Sequence, residues 1–166
     1  MAKPGIFLAF NLMKTYERIL LASHGTKGAR AADAAAISLC ASGAAIDHLE
    51  VVPDLWKGMM GDDWLNNAST RDIFGRYVES ELGREVQQHI KKLENESAKK
   101  AIRYNPIVVL GKPAESLLDQ AAKHKYDLVV IGSPRPRGET GLRSRMHLDT
   151  LARGLSIPIL IVPYPQ

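Results

Sequence analysis

Five arginines accompany only two acids in residues 133–153, which therefore hold most of the chain's net charge of +4. Guanidinium groups bind phosphate or carboxylate through paired hydrogen bonds, so this segment is a candidate anion site. A solvated loop and helix face is the other interpretation, because exposed charge is common and unspecific. No aromatic side chains lie among the arginines, so we do not expect nucleic acid as a partner. The arginines are Arg135, Arg137, Arg143, Arg145 and Arg153.

A second polar group, Ser23 to Thr26, follows an apolar run and contains His24. An imidazole titrates at about pH 6.5, so His24 could be a pH-sensitive ligand contact. It could equally satisfy backbone groups in a turn. Both interpretations stay open. Ser133 follows Gly132 after another apolar run, but the Gly-x-Ser-x-Gly nucleophile elbow is absent, so no catalytic serine is indicated.

The spacing of the remaining candidates indicates neither a phosphate loop nor a metal centre. Gly111 precedes a lysine as in a phosphate loop, but Pro106 replaces that motif's first glycine and Pro113 follows the lysine. The histidines show neither His-x-x-x-His nor Cys-paired spacing, so we expect no dedicated metal site. They are His24, His48, His89, His124 and His147.

Apolar runs bounded by turn residues alternate with helical patterns and must position these side chains. Near-continuous apolar strands of this kind predict a parallel sheet covered by helices on both faces. Pro158 indicates an edge strand or a strand start. Strands are predicted at 18–23, 45–52, 106–110, 127–131 and 157–162, and helices at 28–41, 70–103, 113–124 and 142–154.

The 166 residues, 45% of them apolar, predict one globular domain at 16–166 preceded by an N-terminal arm at 1–15. No run approaches the roughly 18 apolar residues of a membrane span. The apolar run at 6–13 lacks a small-residue cleavage site, so we expect the arm to pack on this subunit or a neighbour. Cys40, placed in the first helix as a core residue, is the single cysteine, which indicates a reducing, cytoplasmic setting.

Three blocks of the sequence resemble the universal stress protein family: YERILLASHGT at 16–26, GKPAESLLDQAAKHKYDLVVIGS at 111–133 and IPILIVP at 157–163. The resemblance implies an α/β fold, a doubly wound five-stranded parallel sheet of order 3-2-1-4-5 with helices on both faces. It also implies a homodimer formed through the last strand. Ligands of such sheets bind outside the carboxyl ends of the strands where the order reverses, here between strands one and four.

Many members of this family bind ATP through a Gly-x2-Gly-x9-Gly-Ser/Thr motif, whose glycines let the backbone approach phosphate. Counted from Gly132, the second glycine falls on Arg135, the third on Arg145 and the hydroxyl residue on Met146. The family's acidic residue at the end of strand one corresponds to His24. The resemblance therefore implies a degenerate nucleotide site.

We predict a cytoplasmic stress-response protein, without a catalytic residue or a certain cofactor, that acts as a binding or regulatory dimer. A small anion is a candidate ligand, and no membrane partner is expected. The alternative is an adenine nucleotide binder, with ATP or AMP held by arginines and slow ATPase activity left open. A third hypothesis is an interaction module whose arm and a segment with Trp56 and Trp64 dock on a partner. The candidate nucleotide- or anion-binding residues are Ser23, His24, Gly25, Thr26, Val52, Gly111, Gly132, Ser133, Arg135, Arg137, Arg145 and Met146.

Overall fold

Five parallel strands form one sheet in the order β3-β2-β1-β4-β5, as predicted. The computed structural model describes residues 15–53, 80–138 and 146–166. The order reverses between β1 and β4, which lie side by side at the centre of the sheet. In chain order the elements are β1 Tyr16–Ala22, α1 Lys27–Leu39, β2 Cys40–Pro53, α2 Glu81–Lys99, β3 Arg103–Gly111, α3 Pro113–Lys123, β4 Leu128–Gly132, α4 Leu148–Gly154 and β5 Ile159–Val162.

The central strands are apolar on both faces because both faces are covered. Successive strand residues point to opposite sides. Along β1, Ile19 and Leu21 join a core beneath α1 and α2, whereas Leu20 and Ala22 join a second core beneath α3 and α4. Both cores are largely aliphatic, and full burial of one such side chain contributes roughly 1.5–3 kcal/mol.

The first helix ends earlier than predicted. Helix α1 stops at Leu39, and Cys40 takes an extended conformation, donates its amide to the Ala36 carbonyl and starts β2. The placement of Cys40 inside a helix was therefore wrong, although the residue does belong to the core beneath α1. Burial raises the pKa of its thiol to about 11, so the thiol stays protonated.

The end of α2 also differs from the prediction, which continued the helix to residue 103. Ala101 adopts the left-handed conformation, with φ of 54°. The Ala101 amide donates to Ala98 at 3.1 Å and the Ile102 amide donates to Ser97 at 3.0 Å. These two bonds form a Schellman cap, which ends the helix and turns Ile102 into the core.

Helix α2 has a side-chain cap at its start, whereas α4 has none. The Ser80 hydroxyl accepts a hydrogen bond from the Gly83 amide at 3.1 Å, so α2 begins at Glu81. Residues 70–79 of the predicted helix lie outside the described residues. The predicted helix at 142–154 was wrong at 146–147, because His147 is extended and α4 begins at Leu148. Residues 142–145 are also outside the described ranges.

The last strand lies at an edge of the sheet, beside β4. It begins at Ile159, directly after Pro158, which has no amide hydrogen to donate to a second neighbouring strand. The edge position indicated by Pro158 is therefore confirmed. No helix within the described ranges combines the length and apolar character needed to cross a membrane.

Candidate functional site

The loop from β1 to α1 occupies the carboxyl edge of the sheet, next to the point where the strand order reverses. Ser23 is buried, and its amide donates to the Leu49 carbonyl of β2 at 3.3 Å. Gly25 takes a left-handed conformation, with φ of 76°, that turns the chain toward α1. Thr26 caps α1 by accepting a hydrogen bond from the Ala29 amide.

A cleft of about 650 Å³ opens beside this loop, between α1 and α2. This volume lies within the range of roughly 300–1,000 Å³ that is usual for small-molecule sites. Its charged lining is mixed and includes both bases and acids, so the cleft is not a uniformly basic anion site. The lining includes His24, Gly25 and Thr26 of the loop, Arg30 and Asp33 of α1, and Glu85, His89, Lys92 and Glu96 of α2.

His24 of this loop is partly buried at the wall of the cleft. Burial lowers the pKa of His24, and the nearby His89 lowers it further. The imidazole is therefore neutral at physiological pH and can contribute a hydrogen bond but no charge.

A buried histidine lies under the loop. His48 of β2 is 0% exposed, and its Nε2 lies 2.8 Å from the Ser23 carbonyl oxygen. Because a carbonyl only accepts, Nε2 carries the proton and Nδ1 accepts the hydrogen bond from the Tyr104 hydroxyl at 2.6 Å. Burial lowers the pKa of His48 to about 4, so the ring is neutral.

Glu50 follows on the same face of β2, two residues beyond His48, and is also buried. Burial, with a further contribution from the Asp33 charge, raises the pKa of Glu50 to about 8. The carboxyl is therefore mostly protonated at pH 7. Its Oε2 lies 4.0 Å from His48 Nε2, and because both groups are neutral this contact is not an ion pair.

His89 reaches the same group from α2. Its Nε2 lies 2.6 Å from Asp33 Oδ2 on α1, and its ring packs edge-on against His48 with the centroids 5.4 Å apart. The Asp33 carboxylate accepts, so His89 Nε2 carries a proton, and in the neutral ring Nδ1 has the lone pair. Side chains from β2, α1 and α2 thus converge in one buried cluster below the cleft.

Several buried polar atoms in and around this cluster have no hydrogen-bond partner among the described residues. Buried polar atoms are paired in roughly 90% of cases, so a concentration of unpaired ones marks a place where a further group fits. The atoms are Ser23 Oγ, Asp33 Oδ1, Glu50 Oε2 and His89 Nδ1.

The other predicted site residues are spread over the same edge rather than gathered in the cleft. Val52 is fully buried and packs on Val86. Gly111 ends β3, where an added Cβ would come within 2.8 Å of the Ser116 hydroxyl. Met146 packs against the core beneath α3 and α4.

The arginine-rich segment follows Gly132 and Ser133 at the end of β4. Ser133 is half-buried, and its amide donates to the Val162 carbonyl at 2.8 Å. Arg135 is half-buried, whereas Arg137 is exposed. Arg145 lies outside the described residues.

Gly132 is in close contact with the backbone of α1. An added Cβ would lie 2.6 Å from the Gly28 carbonyl oxygen, a distance that no real Cβ tolerates. Gly28 in turn contacts the Tyr164 ring, over which Lys27 places its ammonium group at 5.4 Å from the centroid. Packing of β4 against α1 is therefore a sufficient reason for glycine at position 132.

Sequence spacing missed the buried cluster, although one signal was available. The predicted second strand carries Asp47, His48 and Glu50 in a sheet whose two faces are both covered. Ionisable side chains on such a strand need partners from other elements. Asp33, His89 and Tyr104 lie on three other elements, and no local pattern in the sequence links them to β2.

Asp47 points to the opposite face and belongs to a separate, structural network. Its Oδ2 accepts hydrogen bonds from Tyr126 at 2.7 Å and from Arg18 at 2.9 Å. Burial acts to raise the pKa of Asp47, but the bonds from Tyr126 and Arg18 outweigh it and lower the pKa. Arg18 lies near the start of β1, away from the loop at Ser23.

Comparisons with known proteins agree with this architecture. The sequence pattern described as the universal stress protein family matches residues 15–163. A doubly wound parallel domain whose strand order reverses between β1 and β4 is the class of protein that the fold defines. The chain belongs to the universal stress protein family. Among curated proteins, no sequence matches the chain with significance.

Solved structures resemble the chain in fold. The hypothetical protein MJ0577 has a TM-score of 0.67 at 16% identity, over 92% of this chain and 99% of that one. A universal stress protein family protein from Arabidopsis thaliana with AMP bound has a TM-score of 0.59 at 13% identity, over 89% and 92%. A universal stress protein in complex with cAMP has a TM-score of 0.54 at 18% identity, over 91% and 99%.

Proposed function

We propose that this protein is a cytoplasmic, non-enzymatic stress-response protein that acts by binding, with a crevice that no longer holds ATP through a glycine-rich loop. The observation that carries the proposal is the environment of Gly132. It is the one glycine of the family's ATP motif that this chain keeps, and the approach of β4 to the Gly28 backbone already requires it. Its presence is therefore no evidence for phosphate binding.

The groups that replace the rest of the motif support the same proposal. Arg135 stands where the second glycine would let the backbone approach phosphate, so that approach is blocked by a side chain. Neutral His24 stands where the family has an acid, and it offers no charged acceptor for a ribose hydroxyl. A ligand of this crevice would meet side-chain cations and a neutral imidazole.

The neighbours with AMP and cAMP make a small nucleotide the first class of ligand to test. Isothermal titration calorimetry with ATP, ADP, AMP and cAMP at physiological salt is the experiment. We expect no micromolar binding of ATP. Micromolar ATP binding by the wild-type protein would overturn the proposal and favour the arginine-based alternative.

Arginine variants separate the two hypotheses further. If arginines hold a nucleotide, replacing Arg135 and Arg145 together with alanine abolishes the calorimetric signal. Arg153→Ala is the matched control, because Arg153 is well exposed on α4 and pairs with Asp149 at 3.1 Å. Equal affinity of the double variant and the control would exclude the arginine-based site.

The assembly that we propose is a homodimer formed through β5. This edge strand presents Ile161, a large apolar residue that is 40% exposed. An edge strand has unpaired backbone amide and carbonyl groups with which a second copy can pair, and such pairing would cover the Ile161 side chain. The family resemblance implies the same surface.

We make a separate proposal for the N-terminal arm that precedes the domain. The arm at 1–15 lies outside the described residues apart from Thr15, so its packing on this subunit or a neighbour stays a prediction. Deletion of residues 1–14 followed by light scattering tests it. An unchanged mass and an unchanged unfolding temperature would contradict the prediction that the arm packs on this subunit or a neighbour. They would also contradict the interaction hypothesis that includes the arm.

A further inference from the structure

The buried cluster below the cleft contains a set of metal-ligand atoms. His48, Glu50 and His89 each offer one ligand atom, and these atoms all lie within 4.8 Å of one another. We propose that these three side chains bind a divalent transition-metal ion of the zinc class. Gly132 and Arg135 take no part in this site, so it does not depend on the function proposed for the crevice.

The donor types fit zinc. Two imidazoles and one carboxylate form a recognised three-ligand zinc set, with the fourth position left for water or another ligand. Bonds of roughly 2.0–2.2 Å place tetrahedral ligand atoms roughly 3.4 Å apart. The 4.0 Å separation of His48 Nε2 and Glu50 Oε2 therefore needs to shorten by about 0.6 Å, and a separation at the 4.8 Å limit by about 1.4 Å.

The strand geometry explains why two of the ligands are neighbours. His48 and Glu50 are two residues apart on β2 and so project from the same face, where His48 Nε2 lies 4.0 Å from Glu50 Oε2. His89 enters from α2, which covers this face. The ion would thus join the sheet to a helix.

The groups behind the two histidines are those that orient metal ligands. Histidine ligands usually donate the other ring N–H to a carboxylate or another acceptor. His89 Nε2 donates to Asp33 at 2.6 Å, which leaves His89 Nδ1 buried and without a partner among the described residues. Asp33 and His89 therefore have the arrangement of the first two members of a carboxylate–histidine–metal triad.

His48 requires one proton to move between its ring nitrogens. In the structure Nε2–H donates to the Ser23 carbonyl and Nδ1 accepts from the Tyr104 hydroxyl. If Nε2 bound the ion, Nδ1 would carry the proton and donate a hydrogen bond to the Tyr104 oxygen, because a hydroxyl can be donor or acceptor. The Ser23 hydrogen bond is exchanged for the metal bond.

The unpartnered atoms provide an independent observation. Glu50 is 2% exposed, and its Oε2 has no hydrogen-bond partner among the described residues. An ion would satisfy Glu50 Oε2 and His89 Nδ1 together, and the Glu50 carboxyl would release its proton to solvent on binding. His89 also lines the cleft, which gives the ion a path from solvent.

The experiment measures metal binding by chelator-treated, full-length protein. Equilibrium dialysis against Zn²⁺ or Co²⁺ gives the stoichiometry, and the visible absorption of tetrahedral Co²⁺ reports the geometry. We expect one bound ion per chain with a tetrahedral Co²⁺ spectrum. The absence of stoichiometric binding would overturn the proposal.

Variants locate the site. Glu50→Gln removes one proposed ligand but keeps the shape and neutrality of the protonated carboxyl, and so preserves the fold. His89→Gln removes a second proposed ligand, at the cleft wall. We expect each to weaken Zn²⁺ binding by more than about 100-fold, since loss of a supporting group alone costs roughly 10- to 100-fold. His124→Gln is the control, because His124 is exposed and far along the chain from these elements.

A stability measurement gives a second readout. Zn²⁺ should raise the unfolding temperature of the wild-type protein and of His124→Gln, and leave that of folded Glu50→Gln unchanged. Equal Zn²⁺ affinity and equal thermal shifts in wild-type protein and Glu50→Gln would show that the ion binds elsewhere. Circular dichroism of each variant confirms that the comparison is made between folded proteins.

Discussion

His89 on α2 donates a 2.6 Å hydrogen bond to Asp33 on α1, and both side chains are more than nine-tenths buried. This bond joins the two helices that cover one face of the sheet. It also forms the boundary between the open cleft above and the His48–Glu50 pair below. Removing either partner leaves the other buried polar group unpaired, which costs more free energy of folding than replacing both partners with apolar groups.

The coupling between these two residues is measurable in a double-mutant cycle. Asp33→Ala, His89→Ala and the double variant should give a coupling free energy of about 1–3 kcal/mol in urea unfolding with chelator present. The exposed Lys92–Glu96 pair on α2, with atoms 3.9 Å apart, is the control cycle. It should give less than about 0.5 kcal/mol. Similar values for both cycles would contradict this account of the bond.

Ala101→Gly should stabilise the protein. Ala101 is left-handed in the cap of α2, and this conformation costs a non-glycine residue roughly 1–2 kcal/mol. Part of the gain is offset by the greater chain entropy of glycine when unfolded, so we expect a net increase of about 0.5–1 kcal/mol. The same substitution at Ala98, within the last turn of the helix, should destabilise by about that amount. Chemical unfolding of both variants checks the opposite signs.

Gly132→Ala should be strongly destabilising. The new Cβ would lie 2.6 Å from the Gly28 carbonyl oxygen, so β4 and α1 must move apart at a cost of about 1–3 kcal/mol. Gly28→Ala is the comparison, since its added Cβ would lie 3.0 Å from the Tyr164 ring and 3.3 Å from the Ser133 carbonyl oxygen, both longer than 2.6 Å. We expect a smaller loss there. Free energies of unfolding that rank the two variants in reverse would argue against tight β4–α1 packing.

Acid should destabilise the protein partly through Asp47. Hydrogen bonds from Tyr126 and Arg18 hold its folded pKa below the unfolded value of about 3.9. The resulting stability is fully present above that unfolded value and is lost as the pH falls through the folded pKa. Asp47→Asn should therefore flatten the acid side of the stability profile, measured as unfolding free energy against pH. Asp149→Asn, at a well-exposed ion pair, should leave the profile unchanged.

The proposed dimer predicts different results for the two edge strands. Ile161→Lys on β5 should convert the dimer to a monomer, because it places a charge in the apolar contact. Val108→Lys on β3 is a matched control, since Val108 is 41% exposed on the opposite edge against 40% for Ile161. Light scattering reports the mass of each. If Val108→Lys is monomeric and Ile161→Lys stays dimeric, the interface lies on β3 and not on β5.

The strands of the sheet could be predicted because their signals are local. Residues 128–131 of the predicted fourth strand are all apolar, which indicates a strand covered on both faces. The family resemblance supplied the order in which the strands pair. The loop at Ser23 to Thr26 could be placed at the carboxyl edge for the same reason. Helix ends were less accurate, since the left-handed turn at Ala101 depends on Ile102 reaching the core.

The sequence by itself therefore determined which segments are strands and which segments face water. It also determined which positions depart from the family's ATP motif. Only the tertiary structure decided that His48, Glu50 and His89 meet, because they lie on two elements separated by a long stretch of chain. It also decided that Gly132 serves the packing against Gly28. Periodicity reports the environment of one element, whereas these contacts arise from how several elements pack.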